Sequence, residues 1–222
     1  MEEPDGATLF KDSVNGNYDA VRKGNPTYQK GYCGNGSLHL ETGDDYLEVD
    51  KTKAPVMTGS MTIAAWILFN GTNNQFSFHN LISKRTYSNR SWQLGVSEGA
   101  VEGQKATFTI AISQTADIYR SSSDDLPLDT WVHIAGVYDS TKPSLDVYLN
   151  GSLSNGALGK KVVNTVSDAL DSEIPTMQFD SMANPLHIGT AGFANSTPFA
   201  GTIDDLRVYD KALTQAQIQE LL

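Results

Sequence analysis

The sequence predicts an all-β protein, a two-sheet antiparallel jelly-roll β-sandwich that ends in one short helix. Three observations support this fold class: many short segments rich in β-branched and aromatic residues, turn-forming pairs between them, and a single helical pattern at the very end. The composition agrees, because only 19% of the 222 residues are charged and 19 are glycine, as is typical of strands and loops. Sandwiches of this length often form one unit, and we find no linker, so we expect a single domain over residues 1–222.

The strongest strand signals lie in the central part of the chain. Met61–Phe69 contains β-branched and aromatic residues and no breaker, which predicts a central strand covered on both faces. Leu145–Leu149 alternates in character, and the Asn150-Gly151 pair that follows favours a type I′ hairpin returning through Ser152–Ser154. Further strands are expected at Ser37–Leu40, Tyr46–Val49, Leu81–Lys84, Trp92–Val96, Ala106–Ile112, Trp131–Tyr138, Leu186–Ile188 and Gly201–Tyr209.

Two stretches of the chain carry only weak strand or helix patterns. Ser113–Thr130 and Gly156–Pro185 are predicted to be long connections between strands. The second of them contains Val162–Leu170, which we expect to form a short strand or a short helix. Long connections in compact domains are often functional, so both are places to look for a site.

One helix is expected, at the end of the chain. Thr214 is suited to cap the start of a helix, and Gln217 completes a capping box three residues later. Leu213 precedes the cap and is placed to pack on Ile218 as a hydrophobic staple. The sequence therefore predicts a helix over Gln215–Leu222.

The charge and the hydropathy of the chain argue against several classes of partner. The formal net charge is −10 and the pI is near 4.7, so the surface repels phosphate backbones and we expect no nucleic acid. No run approaches the ~18 apolar residues of a membrane span, so we expect no membrane insertion. The single Cys33 allows no internal disulfide. The opening residues do not form a signal peptide, and we expect this domain to be part of a larger multidomain protein.

A series of short signatures, in a fixed order, resembles a known family. The signatures run through Gly34–Val49 (ending DDYLEV), Met61–Ile67 (MTIAAWI), Trp131–Asp139 (WVHIAGVYD), Val147–Gly151 (VYLNG) and Phe199–Leu213 (FAGTIDDLRVYDKAL). Together they resemble the laminin-G-like, concanavalin A-like domains of the lectin and glucanase superfamily, in the form common in bacterial and phage surface proteins. The resemblance implies the jelly-roll fold and an extracellular location, at a cell or virion surface. It leaves the function open, because this fold hosts lectins, adhesins, protein-binding modules and glycosidases.

The same resemblance implies a calcium site near the start of the chain. Calcium takes six to eight oxygen ligands, and the loop from Asp12 offers several, with Gly16 permitting a tight turn. In similar proteins this loop packs beside the penultimate strand, so that a cation is shared with one of two neighbouring aspartates there. The expected ligands are Asp12, Asn15, Asn17 and either Asp204 or Asp205. In the alternative interpretation Asp12 caps a turn, and Asp204 or Asp205 pairs with Arg207 or a lysine.

Sugar binding would need aromatic faces beside amides and charged groups. One stretch offers Tyr87, Arg90 and Trp92, and another offers Gln114, Asp117, Tyr119 and Arg120. We take Tyr87, Arg90, Trp92, Tyr119 and Arg120 as candidate ligand-binding residues. The alternative is that Trp92 belongs to the core and that the tyrosines cover loop edges.

Catalysis is not expected. Laminarinase-type relatives of this fold carry an E-x-D-x-x-E motif on one strand, and the nearest segment here, Glu48–Lys53, ends in lysine instead of the second glutamate. We therefore expect a non-catalytic extracellular binding module of an adhesin or a secreted enzyme, which binds a glycan with the help of calcium or binds a surface protein ligand. The alternative is a structural or protein-binding domain of a phage or large surface protein without a sugar site.

Overall fold

The computed structural model describes residues 7–14, 16–34, 36–41, 44–71, 78–86, 88–98, 103–163, 165–180, 183–191 and 198–222. These residues form two packed antiparallel sheets and one short helix, which confirms the predicted fold class. In the described part of the chain, the helix is neither long nor apolar enough to cross a membrane.

The larger sheet has ten strands in the order β1-β2-β5-β16-β7-β8-β9-β10-β14-β15. Its strands are β1 Leu9–Phe10, β2 Ala20–Lys23, β5 Tyr46–Val49, β7 Phe78–Ser83, β8 Gln93–Glu98, β9 Gln104–Ser113, β10 Ala116–Ser122, β14 Asn155–Val162, β15 Thr165–Asp168 and β16 Leu186–Ile188.

The smaller sheet has seven strands in the order β13-β12-β11-β6-β17-β4-β3. Its strands are β3 Thr27–Gln29, β4 Ser37–Leu40, β6 Met61–Phe69, β11 Trp131–Asp139, β12 Ser144–Leu149, β13 Ser152–Leu153 and β17 Gly201–Tyr209. A 3₁₀ turn follows β15 at Asp171–Glu173, and the helix α1 is Gln215–Gln219.

The core lies between the sheets, and its position follows from side-chain alternation. In β6, Ile63, Ala65 and Ile67 point into the sandwich and are at most 1% exposed. The alternate residues of β6 face outward, where α1 covers Ala64 together with Tyr148. The strand is therefore buried on both faces, as its continuous apolar sequence predicts.

The hairpin and the helix confirm two local predictions. Asn150 and Gly151 both have positive φ, 47° and 73°, as a type I′ turn requires. Thr214 Oγ1 accepts the amide of Gln217 at 3.3 Å, which completes the predicted capping box. The helix ends at Gln219, earlier than predicted.

The two predicted long connections are wrong in part. Ser113–Thr130 contains the seven-residue strand β10, which pairs with both β9 and β14. Gly156–Pro185 contains most of β14 and all of β15. The turn between β9 and β10 is made by Gln114 and Thr115, with the Thr115 amide donating to Ser113 Oγ at 3.2 Å. It lacks the glycine, proline or asparagine that signals a turn in a sequence.

Candidate functional site

A groove of about 790 Å³ crosses the outer face of the larger sheet, on the side away from the core. Strands β8, β9, β10 and β14 form its floor. Alternation places polar residues there, because Phe108 and Ile110 of β9 point into the core and Thr107 and Thr109 point outward. The polar side chains that line the groove are Arg85, Gln93, Ser97, Lys105, Thr107, Thr109, Asp117, Tyr119, Ser121, Ser122, Ser123 and Lys161.

Hydroxyl groups form a row across three strands at the floor of this groove. Thr107 Oγ1 lies 2.8 Å from Ser97 Oγ on β8 and 2.9 Å from Ser121 Oγ on β10. The strand register produces this row, because Thr107 pairs with Ser121 on β10 and with Gly95 on β8, two residues before Ser97 on the same face. Hydroxyls both donate and accept, so the row can rearrange its hydrogen bonds around a polar ligand.

An aromatic side chain lies beside the row. Tyr119 pairs with Thr109 and with Gly159, and its ring covers the glycine. A Cβ at Gly159 would lie 2.3 Å from the Tyr119 hydroxyl oxygen, so only glycine permits this position of the ring. Burial, and then the neighbouring carboxylate of Asp168, raise the pKa of Tyr119, which keeps its hydroxyl protonated and able to donate.

One end of the groove carries a buried cluster of charges. Asp117 is 2% exposed, and its Oδ2 accepts a short hydrogen bond from Arg90 Nη1 and lies 3.5 Å from Arg85 Nη2. Arg90 also donates to the carbonyl of Val163 at 3.1 Å. Among the described residues, Asp117 Oδ1 and Arg85 Nε are buried without a hydrogen-bond partner.

The pKa shifts of this cluster follow from its burial. Desolvation raises the pKa of Asp117, although both arginines lower it. Desolvation also lowers the pKa of Arg85, against the attraction of Asp117. For both groups, the cost of burying the charge therefore outweighs the attraction of the opposite charges nearby.

The opposite end of the groove is neutralised. Lys105 Nζ lies 2.8 Å from Asp125 Oδ1 and donates to the carbonyl of Ser123 at 2.7 Å. Asp125 also sits against Gly103, where an added Cβ would lie 2.6 Å from its carboxylate. The positive charge of Lys105 at this end is therefore balanced by Asp125.

The structure places the predicted ligand-binding residues in different environments. Tyr119 lines the groove, and Arg90 lies beneath it as the partner of Asp117. Trp92 is in the core with no exposure, and its Nε1 donates to Asp180 Oδ2 at 3.2 Å, so its face is not available to a sugar ring. Arg120 bridges the two sheets by donating to the carbonyl of Leu145 at 3.0 Å. Tyr87 lies outside the described residues.

The groove also contains residues that sequence reasoning did not single out. These are Arg85, Lys161 and the hydroxyl row of Ser97, Thr107 and Ser121. Of these residues Thr107 lies on β9, whose alternation of polar with apolar residues predicts an outward face but does not say which strands adjoin it.

The two candidate aspartates of β17, Asp204 and Asp205, lie in different surroundings. Asp12 and Asp205 line the same cleft, of about 730 Å³, at one end of the sandwich. Asp204 is buried elsewhere: its Oδ2 accepts the amide of Cys33 at 2.8 Å and its Oδ1 accepts the amide of Asp205 at 2.7 Å. A β-bulge in β17, with Asp205 at φ 47°, separates the two aspartates.

In the described part of the chain, the hydrogen bonds of the Asp12 loop leave one carboxylate oxygen unused. Asp12 Oδ1 accepts the amide of Val14 at 3.1 Å, whereas Oδ2 is buried and has no partner among the described residues, so it fits as an oxygen donor. Both oxygens of Asp205 contact Arg207, as in the alternative interpretation: Oδ1 accepts from Nε at 2.8 Å and Oδ2 lies 2.7 Å from Nη2. No three His, Cys, Asp or Glu side chains converge as a metal site in the described ranges, and Asn15 lies outside them. Asn17 lies in the same loop.

Comparison with solved structures finds domains of the same fold, two of which were solved with a bound oligosaccharide. Domain 4 of an extracellular arabinanase from Geobacillus stearothermophilus, in complex with arabinotriose, has a TM-score of 0.59 and 17% identity over 89% of this chain and 81% of that one. The CBM40 of a Ruminococcus gnavus IT-sialidase, bound to α2,3 sialyllactose, has a TM-score of 0.53 and 14% identity, covering 83% and 95%. A pentraxin from Limulus polyphemus has a TM-score of 0.52 and 18% identity, covering 74% and 70%.

The sequence itself places the chain in a family. No curated protein sequence matches it at a significant level. The family model of the concanavalin A-like lectin/glucanases superfamily matches residues 41–219, which is most of the chain and includes every strand of the groove. The chain therefore belongs to the concanavalin A-like lectin/glucanases superfamily.

Proposed function

We propose that this chain is a non-catalytic carbohydrate-binding domain that holds a glycan in the groove of the larger sheet. The observation that carries the proposal is the hydroxyl row of Ser97, Thr107 and Ser121, with Tyr119 beside it and a partly unsatisfied charged pair at one end. Sugar hydroxyls need several convergent donors and acceptors together with an aromatic surface. The groove supplies both.

The single carboxylate among the described groove residues supports binding in preference to hydrolysis. A retaining glycosidase needs two carboxyl groups about 5 Å apart across the scissile bond, and an inverting one needs two at a larger spacing. Asp117 is the one carboxylate among the described lining residues, and Arg90 holds it. The groove residues described here therefore lack the second acid.

The comparisons support the same proposal at the level of fold. Two of the similar domains were solved with an oligosaccharide, and one belongs to an extracellular enzyme. By analogy this domain works outside the cell, as one part of an adhesin or of a secreted enzyme.

A calcium ion bound by Asp12 and Asp205 belongs to the proposal as a structural element. The unpartnered Oδ2 of Asp12 and the cleft that Asp12 shares with Asp205 support it. Asn15 and Asn17 would complete the oxygen set, since calcium accepts amide and backbone oxygens. The ion would fix the opening loop against β17.

The function is tested by isothermal titration against a panel of neutral and acidic oligosaccharides. A saturable interaction is expected for at least one of them. Thr107→Val keeps the size and removes the central hydroxyl of the row, so we expect the affinity to fall by about tenfold. Thr27→Val, on the exposed edge strand β3, is the matched control and should leave the affinity unchanged. No binding by any member of the panel contradicts the proposal.

A further inference from the structure

The charge of the groove is opposite to that of the chain. The chain carries 26 acidic and 16 basic residues. The described lining of the groove carries three basic side chains, Arg85, Lys105 and Lys161, and a single acidic one, Asp117. A basic groove on an acidic protein attracts anions locally while the rest of the surface repels them.

The excess positive charge is concentrated at one end. Lys105 is paired with Asp125, so it contributes no excess. At the other end, Asp117 is shared by Arg90 and Arg85, and Lys161 lies directly opposite it in the pairing of β10 with β14. Three cations therefore surround one carboxylate, and two positive charges remain without a counterion from this cluster.

Arg85 has hydrogen-bonding capacity that the described residues do not use. Its side chain is 15% exposed, its contact with Asp117 is long at 3.5 Å, and its Nε has no partner among the described residues. A guanidinium offers two parallel N–H groups that match the two oxygens of a carboxylate, and burial strengthens such a pair. Arg85 thus presents an incompletely used binding group at the wall of the groove.

Asp117 adds a second kind of contact. Its Oδ1 is buried at the same end of the groove and accepts nothing from the described residues. A sugar hydroxyl next to a carboxyl group could donate to this oxygen while the carboxyl group meets Arg85 and Lys161. A ligand that carries both groups on one ring would satisfy the cluster as a whole.

We infer that the groove selects a carboxylated glycan, whose carboxylate binds Arg85 and Lys161 while a neighbouring hydroxyl donates to Asp117. This inference rests on the proposed function and names the class of sugar. A sulfate ester also offers oxygens to the guanidinium fork of Arg85, and the experiment separates the two classes of sugar.

The experiment compares each acid with a neutral sugar of the same skeleton. The pairs are trigalacturonate and sialyllactose, each with its methyl ester; dextran sulfate with dextran represents sulfated glycans. Isothermal titration at low salt is expected to show at least one carboxylated member binding at least about tenfold more tightly than its neutral partner. Added sodium chloride should weaken that preference, because part of it is electrostatic.

Variants test whether Arg85 and Lys161 cause the preference for the acid over its neutral partner. Arg85→Gln and Lys161→Gln should each lower the affinity for the acid by about tenfold and change the affinity for the neutral partner by less than about twofold. Lys142→Gln removes the same charge from an exposed turn outside the groove and should change neither. Melting temperatures identify any variant that fails to fold.

The outcomes separate this inference from the proposed function. Equal affinities within every carboxylate pair would overturn the inference and leave a neutral glycan as the ligand. A preference that survives both Arg85→Gln and Lys161→Gln would overturn it by placing the carboxylate elsewhere. A preference for dextran sulfate alone would overturn the choice of carboxylate. Absence of binding to every sugar would overturn the proposed function, and the inference with it.

Discussion

Lys84 and Asp180 form an ion pair with no exposure of either side chain, with Lys84 Nζ 2.9 Å from Asp180 Oδ1. The same carboxylate accepts the amide of Met57 at 2.6 Å, Trp92 Nε1 at 3.2 Å and a short bond from Ser91 Oγ. Asp180 therefore holds Lys84, at the end of β7, together with the segments around Met57 and Trp92. This network also explains why Trp92 is a core residue and not a sugar platform.

Loss of one member of this pair should be strongly destabilising. Lys84→Met leaves the Asp180 carboxylate buried without its cation, and removing one partner of a buried pair costs about 3–5 kcal/mol. Urea denaturation should show this decrease in the free energy of unfolding. Lys160→Gln breaks an exposed pair with Glu173 and should change the stability far less, because solvent screens such pairs. A similar small cost for both variants would contradict the assigned role.

His133 should make the protein less stable in weak acid. Burial lowers its pKa to about 4, with Arg207 acting in the same direction and Asp205 opposing. Because the folded pKa lies below the unfolded value of 6.5, the stabilisation is fully present above pH 6.5. It is lost as the pH falls towards 4, and the loss reaches about 3 kcal/mol.

The pH effect is measured by denaturation of the wild type and His133→Gln at pH 7.5 and pH 4.5. The wild type should lose more stability than the variant between the two values. His187, whose pKa burial also lowers, remains in both proteins and cancels in the comparison. Equal losses would show that His133 does not titrate as described.

Gly159 should control the position of Tyr119. Gly159→Ala introduces a Cβ that would lie 2.3 Å from the tyrosine ring, so the ring must move. We expect the glycan affinity to fall by about tenfold, because the displaced ring loses its aromatic contact with the sugar. Titration with the best ligand of the panel measures this change. Gly59→Ala is the control, because its Cβ would meet nothing closer than 4.0 Å, and it should leave the affinity unchanged.

Calcium should stabilise the folded protein through Asp12. A ligand that binds only the folded state at a hundredfold excess over its Kd adds about 2.7 kcal/mol. For a domain of this size the midpoint should rise by about 5–10 °C when calcium is restored after chelation. Asp12→Asn should abolish the rise, and Asp44→Asn, on an exposed turn, should preserve it. An unchanged wild-type midpoint, with no ion carried over, would contradict the calcium proposal.

The strands with strong local patterns could be predicted from the sequence. Met61–Phe69, Tyr46–Val49 and Gly201–Tyr209 have the bounds that alternation and β-branched content indicate. β10 was missed because its turn uses Gln114 and Thr115, and β15 was only partly foreseen because the turn before it starts at Val163 with φ 52°. The turn between β9 and β10 contains no glycine, proline or asparagine, the residues that most clearly mark a turn in a sequence.

The groove could not be predicted because it depends on which strands are adjacent and on the register in which they pair. Thr107 meets Ser97 and Ser121 only when β8, β9 and β10 are adjacent and correctly aligned. Asp117 and Arg90 are 27 residues apart, and nothing in either neighbourhood marks them as partners. Sequence reasoning selected Arg90, Asp117 and Tyr119 by residue type but could not tell which of them would be exposed.

The most direct test of the account is to map the glycan by amide chemical shifts in an NMR titration with the tightest ligand of the panel. We predict that the shifts concentrate on β8, β9, β10 and β14, around Thr107 and Tyr119. The main competing surface is the outer face of the smaller sheet, where Tyr32 is 51% exposed and stacks on Trp66 at 3.7 Å. Shifts concentrated around Tyr32, with the groove unchanged, would contradict the account.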